Sequence, residues 1–153
     1  MEIERKFLIS ALPEQLDSYP CHQIEQGYLC TQPVVRIRKQ DDSCFLTYKS
    51  GGMMVRQEYN LPLSLSAYEH LRTKTDGILI CKKRYCIPYG PYTIELDLFE
   101  GDLAPLILAE VEFPTEEEAL SFTSPDWFTE DVTHSGLYHN SYLSLHGYHG
   151  SQN

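Results

Sequence analysis

Positive charge is scarce in this chain: 12 Lys and Arg stand against 22 Asp and Glu, a formal net charge of −10. Such an exterior repels nucleic acid and anionic membrane, both of which need a basic surface. Long apolar runs are missing, so no segment can cross a bilayer as a helix. No basic stretch followed by an apolar one opens the sequence, which argues against a secretory leader and makes a cytoplasmic address the expectation. The five cysteines, Cys21, Cys30, Cys44, Cys81 and Cys86, are odd in number and never spaced C-x-x-C. That pattern excludes a disulfide framework or zinc knuckle and reads as buried, reduced thiols. The P-loop, the dinucleotide-binding glycine motif, the G-x-S-x-G elbow and H-E-x-x-H are all absent. No Ser or Cys has a credible histidine partner, and the histidines crowding the C-terminal end read as surface residues.

What the chain does have is charge on every second residue. Glu2, Glu4 and Lys6 open the series, followed by Arg36 and Arg38, Arg56 and Glu58, Lys82 and Arg84, Glu95 and Asp97, and Glu110 and Glu112. Mostly apolar residues lie between them. A period of two places each set on one face of a β-strand. With Lys49 added, seven of the 12 bases belong to these faces. An acidic exterior around a basic interior follows, suited to a small polyanion drawn inside.

Turn and cap signals divide the chain into eight strands, near residues 1–9, 22–31, 34–39, 44–49, 53–61, 78–87, 92–99 and 106–113. Ser64 or Ser66 caps a helix over 67–74, and Thr115 with Glu118 forms a capping box for a second. A third helix is expected near 141–146. The predicted fold is α+β but mainly β: an eight-stranded antiparallel closed barrel with a few flanking helices, one domain over 1–146, and a disordered tail over 147–153. Eight strands close around a space wide enough for one small ligand.

Same-face neighbours on a strand lie roughly 6.5–7 Å apart, so paired carboxylates can converge on one ion. Glu2 with Glu4, Glu95 with Asp97, and Glu110 with Glu112 are three such pairs. Their hard oxygens suit Mg²⁺ or Mn²⁺, which also accept phosphate oxygens. Arginine forks and lysine ammonium groups supply the phosphate-binding half. Any one K-x-R or E-x-D pair is more often a solvated outer face. The repetition over six strands is what favours an enclosed, hydrated space.

These residues resemble the CYTH superfamily, the triphosphate tunnel metalloenzymes. Glu2-Ile-Glu4-Arg-Lys6 is similar to its E-x-E-x-K signature. Gln26-Gly-Tyr28-Leu, Val35-Arg36-Ile-Arg38, Thr47-Tyr-Lys49, Arg56-Gln-Glu58, Lys82-Lys-Arg84, Ile94-Glu95-Leu-Asp97, Glu110-Val-Glu112-Phe and Val132-Thr133 with Tyr138-His-Asn140 extend the likeness to about residue 143. The resemblance implies that Lys6, Arg36, Arg38, Lys49, Arg56, Lys82 and Arg84 hold a triphosphate. It implies that Glu2 and Glu4 bind one metal, and that acids among Glu58, Glu95, Asp97, Glu110 and Glu112 place a second beside the attacking water. Lys6, Glu4 and Glu112 are the catalytic assignments, Mg²⁺ or Mn²⁺ the cofactor, and inorganic tripolyphosphate the expected substrate. Cyclisation of ATP, hydrolysis of ATP or thiamine triphosphate, and non-catalytic binding of polyphosphate or nucleotide are the alternatives. A homodimer is left open. Two positions depart from the family pattern: Asn60 stands where a third acid often follows R-x-E, and Leu137 where a base often precedes the tyrosine.

Overall fold

The computed structural model describes residues 1–149. Among these residues the chain forms ten strands and three α-helices in the order β1 (Glu2–Ile9), β2 (Cys21–Thr31), β3 (Val34–Gln40), β4 (Ser43–Lys49), β5 (Val55–Arg56), β6 (Glu58–Leu63), α1 (Leu65–Arg72), β7 (Asp76–Tyr89), β8 (Tyr92–Phe99), β9 (Ile107–Glu112), α2 (Glu116–Ser121), β10 (Phe128–Asp131) and α3 (Asn140–His146). No helix among them is long and apolar enough to cross a membrane.

One antiparallel sheet runs β10-β1-β9-β8-β7-β2-β3-β4-β6. It nearly closes on itself because β5, one residue before β6, pairs with β1 through Glu2↔Arg56 and Ile3↔Val55. The count of ten corrects the expected eight in two places. Residues 53–61 do not form one strand: the chain bends at Gln57 so that β6 serves β4 while β5 serves β1. The second addition, β10, extends the same edge of β1 through Phe7↔Asp131 and Ile9↔Phe128. Three of its four residues are exposed, so no alternation announces it.

Apolar packing seals the outside of the wall. Ile3, Phe7, Leu96, Ala109 and Val111 pack under α2 and the segments on either side of it, through Phe113, Ala119 and Phe128. Ile37 and Cys44 meet Tyr68 of α1. Ser64 caps α1 by accepting the Ala67 N–H, and Thr115 caps α2 by accepting that of Glu118, as the sequence indicates. Part of the interior is also apolar, which the charge pattern did not announce. Ile80, Phe99 and Leu108 share strand faces with Lys82, Asp97 and Glu110, and they pack with Tyr28, Leu103 and Leu143 of α3. Helix α3 lies against β7 at Gly77, whose φ of +67° and closeness to the Ser144 carbonyl leave no room for a Cβ. Within the expected tail, Tyr148 packs on this same cluster, while residues 150–153 lie outside the described part.

Candidate active site

The strand faces converge on an enclosed cavity of about 210 Å³. Glu2, Glu4 and Lys6 enter it from β1, Arg36 and Arg38 from β3, Lys49 from β4, Arg56 from β5, Glu58 from β6, Arg84 from β7, Glu95 from β8, and Glu110 and Glu112 from β9. Twelve of the fourteen residues singled out by period and resemblance thus meet around one bore. Lys82 and Asp97 do not line it; both are fully buried at its inner end. They sit where the charged bore gives way to the apolar floor of Ile80, Phe99 and Leu108, and Lys82 Nζ lies 5.2 Å from the Phe99 ring centre. Asp97 is engaged by Arg84, at 2.7 Å from Nε and 2.8 Å from Nη2, and by Lys82 Nζ at 2.8 Å.

Several charges are spent on one another. Arg84 also reaches Glu95 at 3.0 Å and Glu110 at 3.2 Å, Lys6 reaches Glu110 at 3.4 Å, and Lys49 reaches Glu2 at 3.0 Å and Glu58 at 3.4 Å. Among the described residues Arg36, Arg38 and Arg56 make no ion pair, and neither do Glu4 and Glu112. Arg38 is held in place by Gln26 Oε1 at 2.9 Å, and Arg56 by the Gly52 carbonyl at 3.0 Å. Asn60 accepts the Thr47 hydroxyl at 2.6 Å and donates to Glu58 at 3.1 Å, so at this position an amide orients an acid rather than adding one.

Enclosure shows in the protonation equilibria. Burial, with Glu110 and Glu2 nearby, lifts the half-buried Glu4 carboxyl to about 7. Burial also raises Glu112, reinforced by Glu4, Glu58 and Glu95. Glu110 goes the other way: burial pushes it up, but Lys6 and Arg84 outweigh that and hold it well below the carboxylate range. Burial brings Arg38 down to about 9, helped by Arg36 and Arg84. Like charges crowded out of water are what a counter-ion relieves. An unpaired carboxyl that holds its proton near neutrality, Glu4, beside a second that is also raised, Glu112, fits a hard divalent cation, which would replace the proton. Among the described residues no three acids, histidines or cysteines already surround one point. Such an ion would take one or two carboxylates, with water and phosphate oxygens completing its shell, as Mg²⁺ usually does.

The C-terminal segment supplies lining residues that the strand pattern missed, His139, Asn140 and Ser141. Only the Tyr138-His-Asn140 match pointed there. His139 is not a surface histidine: burial, with Lys6 and Arg56 close by, depresses its imidazole to about 4.

Comparison with known proteins agrees with this architecture. The CYTH domain family model matches residues 1–142. An inorganic triphosphatase of Nitrosomonas europaea is 41% identical, over 94% of this chain and 97% of its own length. An inorganic triphosphatase of Acetivibrio thermocellus is 33% identical, over 96% of this chain and 95% of its own. A crystal structure of an inorganic triphosphatase, 38% identical, superimposes with a TM-score of 0.71 and covers 95% of each chain. By fold, bore and likeness along nearly its whole length, this chain belongs to the CYTH family.

Proposed function

We propose that the protein is a metal-dependent triphosphatase that hydrolyses inorganic tripolyphosphate to phosphate and pyrophosphate. The observation that carries this reading is the pairing pattern: among the described residues, three arginines and two glutamates without ion partners face one polar bore. The triphosphatase relatives support it. Arg36, Arg38 and Arg56 are free to grip phosphate oxygens in two-point fashion, while Lys6 and Arg84 add positive charge held in place by Glu110 and Asp97. Glu4 and Glu112, with Glu2 beside them, would hold Mg²⁺ or Mn²⁺. When bound, the ion supplies charge neutralisation and a more acidic bound water.

Water oxygen forms the new bond to the terminal phosphorus, the bridging P–O bond breaks, and pyrophosphate leaves with that oxygen. The proton lost by water passes to solvent or to a bore carboxylate. The protein's own part is positioning and electrostatic stabilisation of a transition state whose charge is spread over equatorial oxygens. An organic head group finds few built contacts in a lining this polar, which favours the inorganic anion. The test is turnover of tripolyphosphate with Mg²⁺ or Mn²⁺, expected to yield one phosphate and one pyrophosphate. No release above a Glu4→Ala control sinks the proposal, and cyclic AMP formed from ATP would replace it with the cyclase reading.

A further inference from the structure

The bore runs between two outer hollows that share no residue. One, beside Tyr92 and Phe113, shares Glu95 and Glu112 with the bore; the other, beside Pro33 and Tyr142, shares Arg56, His139 and Ser141 with it. The wall at this second end is the C-terminal segment. Two of its side-chain atoms, His139 Nε2 and Asn140 Oδ1, are buried without a hydrogen-bond partner. Leaving such atoms unsatisfied is costly, and native structures seldom do so without a ligand or solvent to fill the role. Both residues line the cavity that the charged strands enclose.

Their surroundings identify the missing partner. The groups acting on the His139 ring are Lys6 of β1, Arg56 of β5, Glu110 of β9 and the Thr133 backbone. Glu110 is already engaged by Lys6 and Arg84, so the local field is positive. A cation is repelled there, and an apolar group would leave both polar atoms unpaired. An oxyanion is drawn in by Lys6 and Arg56 and can be met by Nε2 carrying a proton and by the Asn140 amide nitrogen turned to the place where Oδ1 stands. Because phosphate oxygens only accept, His139 must present N–H at Nε2 when the anion sits against it. Asn140 contributes its amide after rotation of the carboxamide.

We infer that His139 and Asn140 are substrate-contacting, specificity-determining residues that hydrogen-bond the phosphate unit reaching the C-terminal end of the bore. The inference rests on the triphosphatase reading and deepens it. It also gives a role to a segment that carries a leucine, Leu137, where a base was expected. The arrangement ties this end of the bore to chain length: an anion too short to reach the C-terminal segment gains nothing from these two residues.

The experiment compares steady-state kinetics on tripolyphosphate for wild type, His139→Ala, His139→Gln and Asn140→Ala, each with a thermal melt. Wild-type turnover is scored first, so that failure of the functional reading is seen separately. Each alanine variant is expected to raise KM by about tenfold or more, the scale of one hydrogen bond to a charged group. kcat should stay within about threefold of wild type, and His139→Gln should recover most of the loss through its amide N–H. Inhibition by pyrophosphate, which need not reach the wall, should weaken less than the rise in KM. A KM unchanged in both alanine variants at wild-type melting temperature overturns the inference, as does a loss confined to kcat. Should the variants fold poorly, the wild-type protein still decides. With a methylene-bridged triphosphate analogue bound, the ¹⁵N resonance of His139 Nε2 must lie in the protonated range, and a bare Nε2 in the bound protein overturns it.

Discussion

Asp97 is the residue whose loss tests the buried half of the charge network most sharply. It is fully buried and serves two buried cations, Arg84 through two bonds of 2.7 and 2.8 Å and Lys82 at 2.8 Å. Burial pushes its carboxyl up, but Arg84 and Lys82 outweigh that and hold it below its ordinary range. In Asp97→Asn the amide keeps the shape while the buried Arg84 guanidinium, and Lys82 wherever it still holds its proton, lose their counter-charge. Removing one partner of a buried pair costs about 3–5 kcal/mol, or roughly 10–15 °C in melting temperature for a chain of this size. Lys82→Met should behave differently. Asp97 keeps both bonds from Arg84, and a thioether of similar volume sits well beside Phe99, so the change should be within about 1 kcal/mol or stabilising. Burial first, then Arg84 and Arg38, bring Lys82 down to about 7 against an outweighed pull from Asp97. The unfolded chain therefore binds more protons between about 7 and 10.5, and stability contributed at this site rises with pH across that window. Lys82→Met should remove that slope. Urea unfolding of the three proteins at pH 7, 8 and 9 makes the comparison. An Asp97→Asn protein within 1 kcal/mol of wild type, or a Lys82→Met protein as unstable as Asp97→Asn, would refute the argument that uncompensated charge sets the cost.

Glu4 has the opposite linkage. Its folded value of about 7 exceeds the ordinary 4.5, so its contribution to stability is present at acid pH and lost as pH rises through 7. Glu4→Gln should stabilise the metal-free protein at pH 8 by roughly 1–2 kcal/mol, once the wetness of the bore is allowed for. Melts in chelator from pH 5 to 8 check this, and equal slopes for the two proteins would count against a crowded carboxylate. Gly77→Ala would force a Cβ against the Ser144 carbonyl at positive φ, so α3 should be pushed off β7. A loss of about 2 kcal/mol or more is expected, with a raised KM for tripolyphosphate; unchanged stability would mean that α3 is not anchored there. Ser64→Ala should cost about 1 kcal/mol by removing the N-cap of α1, read from urea midpoints, and leave KM untouched.

Much of the bore was legible in the sequence because a strand's side chains alternate strictly. Twelve residues on eight strands needed only that rule, together with turn signals, to be placed on one surface. The helix caps Ser64 and Thr115 were readable for the same local reason. Three things were not. The bend at Gln57 depends on two different strands, β1 and β4, competing for one segment, and nothing in residues 53–61 records that competition. The three exposed residues of β10 gave no period to detect. His139 and Asn140 come from a short segment whose placement is set by the packing of Leu143 into the apolar floor.

Lys82 and Asp97 show where alternation stops informing. The rule gives a residue's face but not its depth along the bore, and on each of β7, β8 and β9 the inward face changes from charged to apolar within two residues. Ile80 precedes Lys82, Asp97 precedes Phe99, and Leu108 precedes Glu110. Depth is fixed by cross-strand register, here Arg84↔Asp97 and Lys82↔Phe99, which brings one acid beside two bases just above a greasy floor. Register likewise decides which charges neutralise each other: Lys49↔Glu58 and Lys6↔Glu110 face one another directly, while Arg36 faces Thr47 and Tyr28, and Arg38 faces Gln26 and Phe45. The arginines left without acids opposite them are the ones free to take an anion. The same bases and acids shifted by two residues on β3 would present a different set of unpaired charges to the bore. Binding capacity therefore resides in the register of neutral partners such as Gln26 and Thr47 as much as in the arginines themselves.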